Sequence, residues 1–274
     1  MIWQQQWQWL AGHGATDHNA DQPTNGQVGA LITALAHTDR RVRLRAADEL
    51  GLLGQAAGDA IPALVTALDD DYEPVALNAA YALAGMNADA IIPLTEALHA
   101  PSKDAARNAA YALATMGSLA VPALAKLLSH DAEAARGYAA YALGEIGPAA
   151  RDIVSALVKL THDESEWVRR NMAEAQGTIG EPTATQVATL AQTLLHDADD
   201  QVRFTAGLSL ARLGAQAADA VPALQQALKA ENRYVRANAV EALNRIGTPE
   251  AKDILLHYLL AARWCPSTTP ESLF

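Results

Sequence analysis

Apolar residues along this chain fall at helical spacing, and the spacing itself recurs. The segments RVRLRAADELGLLG, PVALNAAYALAGMN, AARNAAYALATMG, AARGYAAYALGEIG, WVRRNMAEAQGTIG, QVRFTAGLSLARLG and YVRANAVEALNRIG end at Gly54, Asn87, Gly117, Gly147, Gly180, Gly214 and Gly247. Ahead of each lies a shorter apolar segment: VGALITAL, IPALVTAL, IIPLTEAL, VPALAKLL, IVSALVKL, VATLAQTLL and VPALQQAL. The unit is therefore a pair of helices repeated seven times with spacings of 33, 30, 30, 33, 34 and 33 residues. Proline at or near the first turn opens several first helices (Pro62, Pro93, Pro122, Pro222), where the missing N–H has no intrahelical partner to lose. Loop aspartates (Asp70, Asp71, Asp104, Asp131, Asp163, Asp197, Asp199) are the candidates to cap the second helices. Glycine, and asparagine once at Asn87, ends each second helix in a left-handed conformation.

Numbered on the first unit, Val42, Ala46, Leu50 and Leu53 form one helical face. Leu83, Leu113, Leu143, Leu210 and Leu243 repeat Leu50, with Gln176 as the exception. Columns 46 and 47 are almost all alanine, varied by Met172, Gly207 and Val240, so neighbouring helices can approach closely. This face is predicted to be core.

The pattern resembles the HEAT-like repeats of the phycobilisome-lyase type, whose hallmark is D-x-x-x-V-R-x-x-A-A-x-A-L-G. The resemblance runs from about residue 28 to residue 260. Its Val–Arg pair stands as Val42–Arg43, Val168–Arg169, Val202–Arg203 and Val235–Arg236, with Arg136 after Ala135, and lapses at Ala76 and Ala106. The resemblance implies an all-α, right-handed α-solenoid of about seven HEAT-like hairpins, with the arginine column bracing one repeat against the next. A lone hairpin cannot bury its apolar face, so terminal capping helices are expected. The boundaries read as an N-terminal capping helix and loop (1–27, with Trp3, Trp7 and Leu10 on one face), seven repeats (28–247), a C-terminal capping helix (248–264) and a tail (265–274).

Composition narrows the chemistry. Half the residues are hydrophobic, 5% are aromatic, and the net charge is −11. Such a chain is too apolar to be disordered, and its acidity speaks against non-specific nucleic-acid binding. No run nears the ~18–20 apolar residues of a membrane helix, and the N-terminus does not read as a secretory signal. A cytoplasmic protein with no membrane or nucleic-acid partner is expected. Cys265, the single cysteine, leaves no disulfide framework and has no named base beside it. The cluster His13, Asp17, His18 and Asp21 reads as a polar loop rather than a metal site. His37, His99, His130, His162 and His196 share a repeat phase and lie too far apart to ligate one ion. No catalytic constellation and no cofactor site is found.

One face of the second helices is not explained by packing. Columns 41, 45, 48 and 52 hold Asn78 and Tyr81, then Asn108 and Tyr111, then Tyr138, Tyr141 and Glu145, then Trp167, Asn171 and Glu174, and last Tyr234, Asn238 and Glu241. Second helices line the concave wall in the family that the repeats resemble, so this stripe is expected to line a groove. Tyrosine and tryptophan give most to binding surfaces. Asparagine is mildly unfavourable inside a helix, yet it recurs in one column; an inter-repeat hydrogen-bond ladder is the other reading of that column. The expected role is a non-enzymatic scaffold holding a protein or peptide partner in this groove. Two alternatives rest on resemblance: a phycobilin lyase-like subunit holding a linear tetrapyrrole, and an accessory module of a bacterial oxygenase, suggested by the tail ARWCPSTTPESLF.

Overall fold

A computed structural model of the chain describes residues 25–263. The expected N-terminal capping helix, the His13 cluster, Cys265 and the tail 265–274 lie outside the described residues. The first helix among the described residues begins at Asn25, inside the segment read as a loop.

The described residues fold into seven helical hairpins and a final helix. The hairpins are α1 (Asn25–Leu35) with α2 (Arg40–Leu53), α3 (Ile61–Ala67) with α4 (Glu73–Gly85), and α5 (Ala88–Ala97) with α6 (Lys103–Thr115). They continue as α7 (Val121–Leu127) with α8 (Glu133–Ile146), α9 (Val154–Val158) with α10 (Glu166–Thr178), α11 (Ala184–His196) with α12 (Asp200–Leu213), and α13 (Val221–Ala227) with α14 (Arg233–Ile246). Helix α15 (Pro249–Arg263) packs on the last hairpin. The helices gather into two compact units that divide between Leu119 and Ala120. Within each unit, second helix stacks on second helix, as α2 on α4 and α4 on α6, or α8 on α10 and α10 on α12. First helices form the other layer, so the architecture is an α-solenoid.

The predicted apolar columns are the core. Leu50, Leu83, Leu113, Leu143, Leu210 and Leu243 are fully buried, as are Ala79, Ala109, Ala139, Ala206 and Ala239. Gln176, the polar residue in the leucine column, is buried too. The amide of Gln186, on the neighbouring first helix, donates to the Gln176 carbonyl oxygen at 2.5 Å. Among the described residues, the side-chain oxygens of both glutamines have no hydrogen-bond partner. Neighbouring second helices approach closely at Gly177, where an added Cβ would lie 2.5 Å from Ser209 Cβ and 2.7 Å from its Cα.

Three local expectations are corrected. All seven repeat-ending positions do have positive φ. However, Gly54, Gly147 and Gly214 pair it with ψ near −130°, and Asn87 has φ 55° and ψ −137°. Gly247, at φ 66° and ψ 10°, is in the left-handed helical region. These residues do more than stop a helix: the chain turns straight into the next first helix, through short 3₁₀ turns at Gly54–Ala60, Gly147–Ile153 and Gly214–Ala220. Pro93 lies inside α5 rather than at its first turn, because α5 begins directly after Asn87. Of the aspartates offered as caps, Asp199 caps α12, whereas Ser102, Ser165 and Asn232 cap α6, α10 and α14.

One 18-residue window has a mean hydropathy of 1.2 within Arg40–Ala67, a helical run of 28 residues. The backbone breaks it at Gly54 into α2 and α3, of 14 and 7 residues.

The uncapping aspartates have a different task. Arg43 donates from Nε and Nη2 to the two carboxylate oxygens of Asp70 at 2.6 and 2.8 Å, tying one repeat to the next. Arg136 does the same to Asp163, and Arg169 to Asp197. Each arginine also donates from Nη1 to the carbonyls six and five residues before it, closing its own loop. Each aspartate in turn accepts the backbone N–H two residues on, from Tyr72, Ser165 or Asp199. Burial works against the carboxylate of Asp70 and of Asp163. The arginine hydrogen bond and the loop N–H outweigh it, holding both below the ordinary carboxylate range. The expected bracing role of the arginine column is thus present at Arg43, Arg136 and Arg169. Arg203 instead donates to Leu194 O and pairs with Asp200 on its own helix.

Candidate interaction surface

In the first unit, α4 presents Asn78 and Tyr81, both half-buried, and α6 presents Asn108 and Tyr111. Asn108 is buried, and its Nδ2 donates to Leu68 O of the preceding repeat at 2.9 Å. Tyr111 is half-buried.

In the second unit, α8 presents Tyr138, Tyr141 and Glu145, and α10 presents Trp167, Asn171 and Glu174. Tyr138 and Trp167 meet edge to face, with centroids 4.9 Å apart and planes at 75°. The indole lies over Gly137, where a Cβ would stand 1.9 Å from Trp167 Cζ3. Other repeats put Leu77, Arg107, Arg170 or Phe204 in that column, so the single glycine is the sequence signal for the indole's position. Below the rings, Thr178 Oγ1 donates to Gly144 O at 2.8 Å and locks α10 onto α8.

Charge gathers at the other end of the same face. Glu174 Oε1 accepts from both Nη1 and Nη2 of Arg212, on α12, at 3.2 and 3.3 Å. Loss of surrounding water pushes the Glu145 carboxyl above its ordinary range, and repulsion from Glu174 adds to the rise. Asn171, between Trp167 and Glu174 on α10, is buried, and its Nδ2 has no hydrogen-bond partner among the described residues.

The last predicted trio is arranged differently. Asn238 is buried and donates to Phe204 O of the preceding repeat at 2.9 Å. Tyr234 is 53% exposed and meets Phe204 edge to face at 6.4 Å. Glu241 accepts from Arg245 Nε one turn along its own helix. The asparagine column is thus divided: Asn108 and Asn238 form rungs of an inter-repeat ladder, whereas Asn171 does not. Gly137 is the member of the surface whose role the sequence left unread; Arg212 stands on the stripe in the sequence, but its pairing with Glu174 was not legible there.

The histidines serve the loops. His37 Nδ1 accepts the backbone N–H of Asp39 at 2.9 Å, and His130 Nδ1 that of Ala132 at 3.0 Å. Both stand in the column that Asp70, Asp163 and Asp197 occupy in other repeats. Among the described residues, no group of three or more His, Cys, Asp or Glu side chains is arranged to hold a metal ion.

The family model described as HEAT repeats matches residues 28–114, 91–153, 121–189 and 187–264, and the chain belongs to the HEAT-repeat family. Among solved structures, the chain is similar to an engineered protein at 24% identity, over 84% of this chain and 71% of that one, with a TM-score of 0.47. It is also similar to the complex of CpcE and CpcF of phycocyanin lyase from Nostoc sp. PCC7120, at 23% identity over 90% of this chain and 97% of that one, with a TM-score of 0.41. A designed armadillo repeat protein is similar at 22% identity over 80% of this chain and all 100% of that one, with a TM-score of 0.33. At these identities the likeness is one of fold. No curated protein matches the chain.

Proposed function

We propose that this HEAT-repeat protein is a non-enzymatic scaffold that holds a protein or peptide partner on the tyrosine and asparagine stripe of its second helices. The observation that carries this reading is the half-buried aromatic face of α8 and α10, where Tyr138 and Trp167 pack edge to face beside Tyr141. Rings fixed by their neighbours offer apolar area at little further loss of conformational freedom, which is what recurring binding anchors have in common. Tyr81 and Tyr111 give the first unit a similar stripe on α4 and α6.

Immobilised full-length protein, incubated with lysate of its source cell, should retain a defined set of proteins. Changing Tyr111 and Tyr141 together to Ala should abolish that retention while the helical circular-dichroism signal stays unchanged. Undiminished retention by the folded double variant would overturn the reading.

A further inference from the structure

We infer that the second-unit face recognises an arginine side chain of an extended partner segment, its guanidinium received between Glu145 and Glu174 and its neighbouring apolar residue against Tyr138 and Trp167. The inference rests on the interaction face proposed above and adds the chemistry of what it takes.

Three observations converge on it. The two glutamates stand on adjacent stacked helices, and each repels the other's charge. One nearby cation, Arg212, is committed to Glu174 Oε1 with both terminal nitrogens. An added guanidinium would relieve the repulsion between the glutamates, and its planar fork suits carboxylate oxygens better than an ammonium does. Second, the aromatic pair lies on the same face of the same two helices, and arginine stacks on such rings. Third, Asn171 Nδ2 is a buried donor without a partner among the described residues, set between Trp167 and Glu174 by helical spacing. The corresponding amides of Asn108 and Asn238 are satisfied by carbonyls of the preceding repeat. The backbone carbonyl of a segment lying along this face would supply the acceptor that Asn171 lacks. An acidic partner would meet the glutamates as like charges and be rejected.

The test uses the full chain and two fluorescein-labelled peptides, one of alternating arginine and leucine and one with glutamine in place of arginine. Fluorescence anisotropy at about physiological salt, where long-range attraction is screened beyond roughly 8 Å, should show binding of the arginine peptide only. The isosteric double variant Glu145→Gln with Glu174→Gln should weaken it about tenfold. The double variant Asp59→Asn with Asp219→Asn removes the same charge from exposed 3₁₀-turn positions and should leave binding within about twofold. Equal binding of both peptides, equal losses in the two double variants, or binding of neither peptide would each overturn the inference. Partner retention that needs Tyr111 and Tyr141 but not Glu145 and Glu174 overturns the arginine reading alone. Retention indifferent to all four overturns the interaction face as well.

Discussion

The guanidinium of Arg136 forks across both carboxylate oxygens of Asp163, one repeat further on, at 2.6 and 2.9 Å. The carboxylate side chain is only 5% exposed. The same clamp joins Arg43 to Asp70 and Arg169 to Asp197. Elsewhere along the chain one or both halves are missing. Where the arginine column holds Ala76, the aspartate column one repeat later holds Ala100. Arg203 keeps its arginine, but the matching position is Ala230, and the side chain turns back onto its own repeat.

Restoring the missing half should therefore stabilise the second unit. Ala230→Asp is expected to add about 1 kcal/mol through a charge-assisted fork to Arg203. That raises the thermal midpoint by roughly 2–4 °C in a chain of this size. The gain should vanish in the background of Arg203→Gln; a gain that persists there would assign it to a simple loop effect.

Asp163 makes an acid-sensitive prediction. Its folded-state pKa lies below the ordinary value, so its stabilising contribution is complete above about pH 4 and is lost as pH falls through the ordinary carboxylate range toward the folded value. The urea midpoint should decline between pH 5 and pH 3, with Asp70 contributing in the same direction. At pH 7, Asp163→Asn should cost about 2 kcal/mol, and it should flatten the acid-dependent part of the curve. An unchanged slope in the variant would contradict the assignment.

Asn87 carries backbone strain. Its φ of 55° with ψ of −137° is a conformation open to glycine and awkward for any residue with a Cβ. Relief of that strain, of order 1–3 kcal/mol, should exceed the extra chain entropy that glycine loses on folding, about 0.5–1 kcal/mol. Asn87→Gly is thus expected to raise the urea midpoint. A lower midpoint would mean that the asparagine side chain supplies something beyond its backbone.

Gly137 holds the position of Trp167. In Gly137→Ala the new methyl would occupy the place of the indole's Cζ3 and drive the ring off α8. The near-ultraviolet circular-dichroism signal of the Tyr138–Trp167 pair should change while the far-ultraviolet signal is kept. Partner retention should fall with it. Retention at wild-type level with a displaced indole would remove Trp167 from the interaction face.

Much of this architecture was legible along the chain because repetition averages out local ambiguity. Any single AAYAL segment is ambiguous, but seven aligned copies fix which column is apolar, and those columns are buried. The polar exception was legible as well: Gln176 stands out in a column of leucines. Its pairing with Gln186 was not, since that requires knowing which first helix lies against α10. The loop aspartates show the same limit. Composition marks them as helix caps, yet an aspartate one or two residues before the cap serves an arginine from the previous repeat, a partner 27 or 28 positions away.

By itself the sequence determined the unit, its length, its core face and the stripe of tyrosine and asparagine, because helical periodicity and glycine punctuation are local properties written residue by residue. Only the tertiary structure decided that Asn108 and Asn238 turn inward to the carbonyls of the preceding repeat, that Trp167 lies on Gly137, and that Glu145 and Glu174 crowd each other. Those outcomes depend on the register in which one second helix is laid on the next, and register is set by the packing of small side chains across the interface, which no single helix contains.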